Sequence, residues 1–343
     1  MTVLNVFRND AFSTLELTSF VERTPFQPTG IGDLGLFEPL PIRTKALAVE
    51  ERQGKLVIIP TSSRGAPPVE RTTEKRKARY FEAPRLAHAD TIHAHELQDV
   101  REFGQQNVLQ QVQTEVARRL AGPTGLTASM EYTWERHRLG AIQGQLLDED
   151  GSVLYDWFEE FGVPRPAVIN FAFGAASPAP GALRKRCNKI VREMARASQG
   201  AFMPTTTVRA LCGDDFWDAL VTHPEVVQTY LNWQAAEELR RGTAFQAMQF
   251  GGIEWFNYRG SDDQVSIAVA SDEVKFFPVG APGVFQVAYA PGESMEWVNT
   301  PGKPIYVIPI FDRDRNAFWR MEVYSYPLHI CTRPEVLQSG RAG

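Results

Sequence analysis

The sequence predicts an α+β fold, and three observations predict it. Apolar residues recur at helical spacing through the middle of the chain. After about residue 250 the pattern changes to short strand-like runs. Between the two, Asp150-Gly151 separates LL from VLYDW, a turn signal that marks a β-hairpin.

The first 45 residues read as an arm. Asp10 is placed to cap a short helix carrying Phe12, Leu15 and Phe20. TPFQPTGIGDLGLFEPLP then breaks any regular pattern with its prolines and glycines. It nevertheless keeps Ile31, Leu34, Leu36 and Phe37, which a mere linker does not need. The segment is therefore expected to lie against something apolar. ALAVEERQGKLVIIP at 46–60 gives two candidate strands around Gln53-Gly54. The polar stretch that follows concentrates Arg71, Lys75, Arg76, Lys77 and Arg79 against Glu74 alone. A returning strand near Ala78–Phe81 makes 46–84 a long two-stranded excursion.

Leu97, Val100, Val108, Val112, Val116 and Leu120 follow helical spacing, with Gly104 as a break and Gly122-Pro123 as the stop. A second helix is expected over 127–143, with Met130, Trp134, His137 and Ala141 on one face. Further helices are expected from Pro180 to Ser198, over 214–222 and over 224–240. IEWFNYR, SIAVA, VFQVAYA, PIYVIPIF and FWRMEVYSYPLHIC supply the later strands.

The totals exclude several classes. At 343 residues, 43% apolar and 22% charged, the chain is long and apolar enough for a sizeable core. A net charge of −5 gives no global attraction to nucleic acid, so any basic patch must be local. No leader-like segment and no membrane-length apolar run is present. Cys187, Cys212 and Cys331 are dispersed and suggest no disulfide framework.

Candidate chemistry is sparse. His88, His93 and His95 fall in HADTIHAHE beside Asp90 and Glu96, which raises a metal-dependent hydrolase as one reading. Against it, the chain has no HExxH motif and no second His/Cys pair at ligand spacing. Cys187 lies among Arg184, Lys185, Arg186 and Lys189; these could activate the thiol, or simply form a basic helix face. Asp148, Glu149, Asp150, Asp156, Glu159 and Glu160 lack the spacing of a calcium loop and are read equally as a solvated hairpin tip. GxxxxGK[ST] does not occur, and FGGIEWF reads as a turn.

Taken in order, LTSFVERTPFQPTGIGDLGLF, RTKALAVEERQGKLVIIP, FEAPRLAHADTIHAHELQDVREFG, ERHRLGAIQGQLLDEDGSVLYDWFEEFG, APGESMEWVNTPGKPIYVIP and SYPLHICTRPEVL carry a resemblance over nearly the whole chain. It resembles the major capsid protein E family of lambda-like tailed bacteriophages. The resemblance implies a Hong Kong 97-type capsid fold. Its parts would be an N-terminal arm over 1–45, an extended loop over 46–90 and a peripheral domain with spine helix and hairpin over 91–175. An axial domain over 176–305 and C-terminal strands over 306–343 would complete it.

It also implies no catalysis, no cofactor and no metal. The expected partners are the chain itself as hexamers and pentamers, a portal at one vertex, a scaffold during assembly, in some cases a decoration protein, and packaged double-stranded DNA. No membrane is involved, and the expected location is the virion, with assembly in the host cytoplasm. An encapsulin-like nanocompartment shell stays open as a rival, because one fold serves several functions. Ile31, Leu34, Leu36 and Phe37 of the arm, the five excursion cations, and Asp148, Glu149 and Asp150 are expected at contacts between subunits. The arm is expected to serve assembly rather than folding.

Overall fold

The computed structural model describes residues 26–52, 76–99, 108–175, 179–231, 247–263, 265–312, 314–315 and 317–343. The expected Asp10-capped helix, the Gln53-Gly54 turn, the excursion tip, the Gly104 break and the stretch 232–240 lie outside them.

In chain order the elements are β1 (Glu38–Pro41), β2 (Ala46–Arg52), β3 (Arg76–Glu82), β4 (Leu86–His93), α1 (Ala94–Asp99), α2 (Val108–Ala121), α3 (Leu126–Gln143), β5 (Gln145–Leu147), β6 (Val153–Asp156) and α4 (Trp157–Phe161). There follow β7 (Ile169–Asn170), α5 (Ala182–Ala197), β8 (Thr207–Cys212), α6 (Asp214–Val221), α7 (Pro224–Leu231), β9 (Ala247–Phe250), β10 (Ile253–Asn257) and β11 (Glu273–Val279). The chain closes with β12 (Phe285–Tyr289), β13 (Tyr306–Phe311), β14 (Phe318–Ser325), β15 (Pro327–Cys331) and β16 (Gln338–Arg341).

Helix α3 sits at the centre. Met130, Trp134, His137 and Ala141 are all buried, as their spacing predicts. It ends on Gly144, whose φ of +83° forms the left-handed cap. A side chain at Gly144 would also collide with the Phe158 ring. The tight entry into the β5–β6 hairpin therefore requires glycine twice over. Within that hairpin only Gly151 takes positive φ, at +84°. Asp150 serves differently: its carboxylate accepts the Ser152 N–H at 2.8 Å.

The described residues form five sheets. β1, β12 and β15 form one, with β1 parallel to β12. β13, β14 and β4 form a second; β2–β3 and β5–β6 are antiparallel ribbons. The largest runs β7-β16-β11-β8-β10-β9. One face of that sheet buries Val208, Ala210, Trp255 and Phe276 against Leu183, Cys187, Ile190 and Met194 of α5 and Phe216 and Leu220 of α6. The C-terminal strands thus return to three separate sheets, β14 beside β4, β15 beside β12 and β16 beside β11.

Two local expectations need correction. Ser266–Ala270 is not a strand. The Asp263 carboxylate accepts the N–H groups of Val265 and Ser266, both at 3.1 Å, and Ser261 N–H donates to the Ile267 carbonyl at 2.9 Å. These local bonds compete with ladder formation, although Ile267 and Val269 are still buried. Conversely, β8, β11 and β16 carry the centre of the largest sheet, yet no turn dipeptide or long alternation announces them.

Candidate assembly surfaces

The arm from Phe26 onward docks on its own subunit. Thr29, Ile31 and Gly32 carbonyls accept the N–H groups of Asp33, Leu34 and Gly35. This turn presents the Ile31 and Gly32 N–H groups to the carboxylate of Glu135 on α3, at 2.7 and 3.0 Å. Glu135 is fully buried and also accepts from Tyr258 Oη at 3.2 Å and faces Arg138 at 3.2 Å. A buried carboxylate is tolerated because four donors surround it. Burial and the adjacent Glu135 charge push the Tyr258 hydroxyl far above its ordinary range. A Cβ at Gly32 would meet the Arg138 guanidinium at 2.6 Å, so a side chain there would displace that group from Glu135.

Farther on, Phe37 packs edge-on against Phe285 and His329, with centroids at 5.4 and 5.2 Å. Ile31 is therefore spent in its own core, and Leu34, Leu36 and Phe37 pack against that core. That corrects the expectation for Ile31, which has no surface left to offer a neighbour. The glycine-rich turn brings backbone donors to a carboxylate 104 residues away, a pairing no local pattern foretells.

The base of the excursion is anchored in the same way. Phe81 on β3 is buried against Tyr155, Trp157 and Phe161 at 5.7, 5.5 and 5.8 Å. Tyr155 Oη accepts from Glu82 N–H and donates to the Glu82 carbonyl, each at 3.0 Å. Arg79 donates to the Phe161 carbonyl at 3.0 Å and lies over its ring. Arg79 thus holds the ribbon to its own subunit. Arg76 and Lys77 sit on β3 opposite Arg52 and Glu51. Arg71 and Lys75 lie outside the described residues. At the hairpin tip, Asp148, Glu149 and Asp150 are exposed, and Arg136 braces the turn by donating to the Asp148 and Glu149 carbonyls at 2.7 and 3.2 Å.

The histidines stand where β4 gives way to α1. His93 and His95 stack at 5.4 Å. The nearby carboxylates belong to another partner. Arg119 on α2 pairs with Glu96 at 2.5 Å, Asp90 at 3.2 Å and Glu115 at 2.6 Å. Hydrogen bonds from Arg118 and Arg119 draw Glu115 down to about 2. Asp90 and Glu96 are thereby committed to joining β4, α1 and α2, and among the described residues no His, Cys, Asp and Glu group is arranged to hold a metal ion. The three cysteines are buried and unpaired, and burial pushes Cys187 and Cys331 up to about 12.

Comparison with known proteins decides the family. The sequence model of the family Phage major capsid protein E matches residues 13–342. The chain belongs to that family. It is 25% identical over 362 residues to the major capsid protein of Salmonella phage Felix O1, covering 96% of each chain. It is 26% identical over 329 residues to that of Pseudomonas phage KPP10, covering 90% of this chain and 91% of the relative.

Solved capsid structures share the fold at low identity. The putative capsid protein of a prophage of E. coli CFT073 superposes with a TM-score of 0.54 at 12% identity, over 99% of this chain and 96% of the other. The capsid protein of cyanophage P-SCSP1u gives 0.53 at 10% identity, over 100% and 99%. As a major capsid protein the chain is a structural component of the phage virion and assembles with copies of itself. Among the described residues, no helix is long and apolar enough to cross a membrane.

Proposed function

We propose that this subunit forms the icosahedral head shell of a tailed bacteriophage, as hexamers and pentamers around packaged double-stranded DNA, and catalyses no reaction. The observation that carries the reading is the match to major capsid proteins over nearly the whole chain. In this reading 1–45 is the arm, 46–90 the extended loop, 91–175 the peripheral domain, 176–305 the axial domain and 306–343 the strands that tie them together. Among the described residues the β2–β3 ribbon is two strands wide, and such a ribbon gains stability from a neighbour.

Repeated heterologous contacts around fivefold and quasi-sixfold axes then close the shell. A portal at one vertex, a scaffold and assembly in the host cytoplasm belong to the same reading. Leu34, Leu36 and Phe37 at their partly exposed edges, the excursion cations Arg71, Lys75, Arg76 and Lys77, and the tip carboxylates Asp148, Glu149 and Asp150 are the proposed intersubunit contacts. Electron cryomicroscopy of the expressed chain tests it: closed shells of pentamers and hexamers are expected. A chain that stays monomeric or dimeric under every assembly condition overturns it.

A further inference from the structure

Helix α5 carries six basic residues, Arg184, Lys185, Arg186, Lys189, Arg192 and Arg196, against the single acidic Glu193, in a chain whose net charge is −5. The structure divides them. Arg186 donates to the Phe171 carbonyl, and Arg184 reaches Thr229 at 3.3 Å and lies over the Phe250 ring. The other four stand in solvent. At 100° per residue, Lys185, Lys189, Arg192 and Arg196 fall within about 60° of arc, on a stripe about 16 Å long. Their one carboxylate contact among the described residues is Lys189 with Glu193, at 3.6 Å and largely exposed.

The opposite face of the helix fixes the stripe rigidly. Leu183, Cys187, Ile190 and Met194 are at most 1% exposed and pack on the six-stranded sheet.

Protein interfaces centre on apolar and aromatic anchors and are depleted in lysine. This stripe offers none of those anchors, since no large exposed apolar residue lies on α5. A row of exposed cations at about 5–6 Å intervals, with only Glu193 beside it among the described carboxylates, instead matches a polyanion with evenly spaced charge. We infer that the α5 stripe Lys185, Lys189, Arg192 and Arg196 is a sequence-independent contact for the phosphate backbone of double-stranded DNA. This rests on the reading that the shell encloses DNA, and it assigns the helix-covered face of the six-stranded sheet to the interior. With about four phosphates, binding is weak and steeply salt-dependent, falling on the order of a hundredfold between 50 and 200 mM salt. Such contacts hold the duplex without trapping it.

The test titrates full-length unassembled subunits with a random-sequence 30-base-pair duplex across a salt series. It compares wild type with K185Q/K189Q/R192Q/R196Q. A control, R43Q/K45Q/K303Q/R315Q, removes equal charge from exposed positions elsewhere. Loss of the stripe is expected to make the log–log salt slope shallower by about 3–4 and to weaken binding at 50 mM salt at least about tenfold. Equal slopes for wild type and the stripe variant overturn the inference, as does a control that lowers the slope as much. Electron microscopy of both proteins, assembled without nucleic acid, provides the second arm. Stripe-variant shells should form normally; if only the variant fails to assemble, the stripe is a contact between copies of the chain and the inference falls. If wild type itself forms no shells, it is the capsid reading that fails, and the titration still reports on the stripe.

Discussion

Glu135 concentrates more structural consequence than any other described side chain. Its carboxylate takes two backbone N–H groups from the arm and one hydroxyl from Tyr258, all with little access to water. Glu135→Ala leaves those donors unpaired, and buried unpaired donors cost about 1–3 kcal/mol each. Denaturant unfolding of the subunit should show a loss of about 2–4 kcal/mol, and hydrogen exchange should show the Ile31 and Gly32 amides deprotected. Amides that stay protected would mean the turn holds itself.

His137 and His329 give a second prediction at this scale. Both are buried, with centroids 5.9 Å apart. His137 Nδ1 and both ring nitrogens of His329 have no hydrogen-bond partner among the described residues. Burial draws His137 down to about 4, and His329 well below its ordinary value. Each is therefore neutral when folded, whereas the unfolded chain takes up the proton near 6.5. Stability is full above that value and is lost as pH falls through the window from 6.5 towards 4. The flanking charges are Arg136, Arg138 and, working the other way, Asp148. From His137 alone the loss between pH 7.5 and 5 should be about 2 kcal/mol. His137→Leu should flatten the stability profile by that amount, read from unfolding midpoints at the two pH values.

At the scale of elements, the arm is where the sequence misleads. Its prolines and glycines predict a segment that serves assembly and is dispensable for folding. In the structure the segment from Phe26 to Pro41 is part of the fold. It contributes a buried isoleucine, a parallel strand beside β12 and the donors for Glu135. Deleting residues 1–36 should therefore cost the subunit about 3–5 kcal/mol, the sum of an emptied core site and lost donors. Deleting 1–25 should leave the subunit's thermal midpoint within a few degrees of wild type while impairing shell formation. Calorimetry of the two truncations separates the cases, and equal midpoints would return the whole arm to the assembly surface. The β2–β3 ribbon teaches the same lesson, since Phe81 and Arg79 bind its base to α4 and the β5–β6 hairpin of the same chain.

At the scale of the whole molecule, assembly depends on weak terms repeated many times. The sequence gathers Arg71, Lys75, Arg76 and Lys77 on the excursion and Asp148, Glu149 and Asp150 at the hairpin tip, two groups of opposite charge. An exposed pair contributes only about 0–1 kcal/mol, yet opposite signs guide register during docking. Changing Lys75, Arg76 and Lys77 to Glu should slow or block shell formation without altering the circular dichroism of the subunit. Reversing Asp148, Glu149 and Asp150 as well should restore part of it. Light scattering at low salt, where screening is least, is the decisive measurement. An unchanged assembly rate there would leave docking to the strands alone. Arg79 is left out of this variant because its guanidinium secures its own subunit.

The sequence by itself determined the α+β class, the face of α3, the DG hairpin and the extent of α5. Each follows from residues a few positions apart, whose spacing sets the geometry directly. Only the tertiary structure decided that Ile31 is core, that Asp90 and Glu96 serve Arg119 instead of a metal, that β8, β11 and β16 build much of the largest sheet, and that two of the six α5 cations are tied down while four stand in solvent. Those outcomes depend on partners tens to hundreds of residues apart. Which donor meets which carboxylate is fixed by how the chain closes on itself, and no local periodicity encodes it.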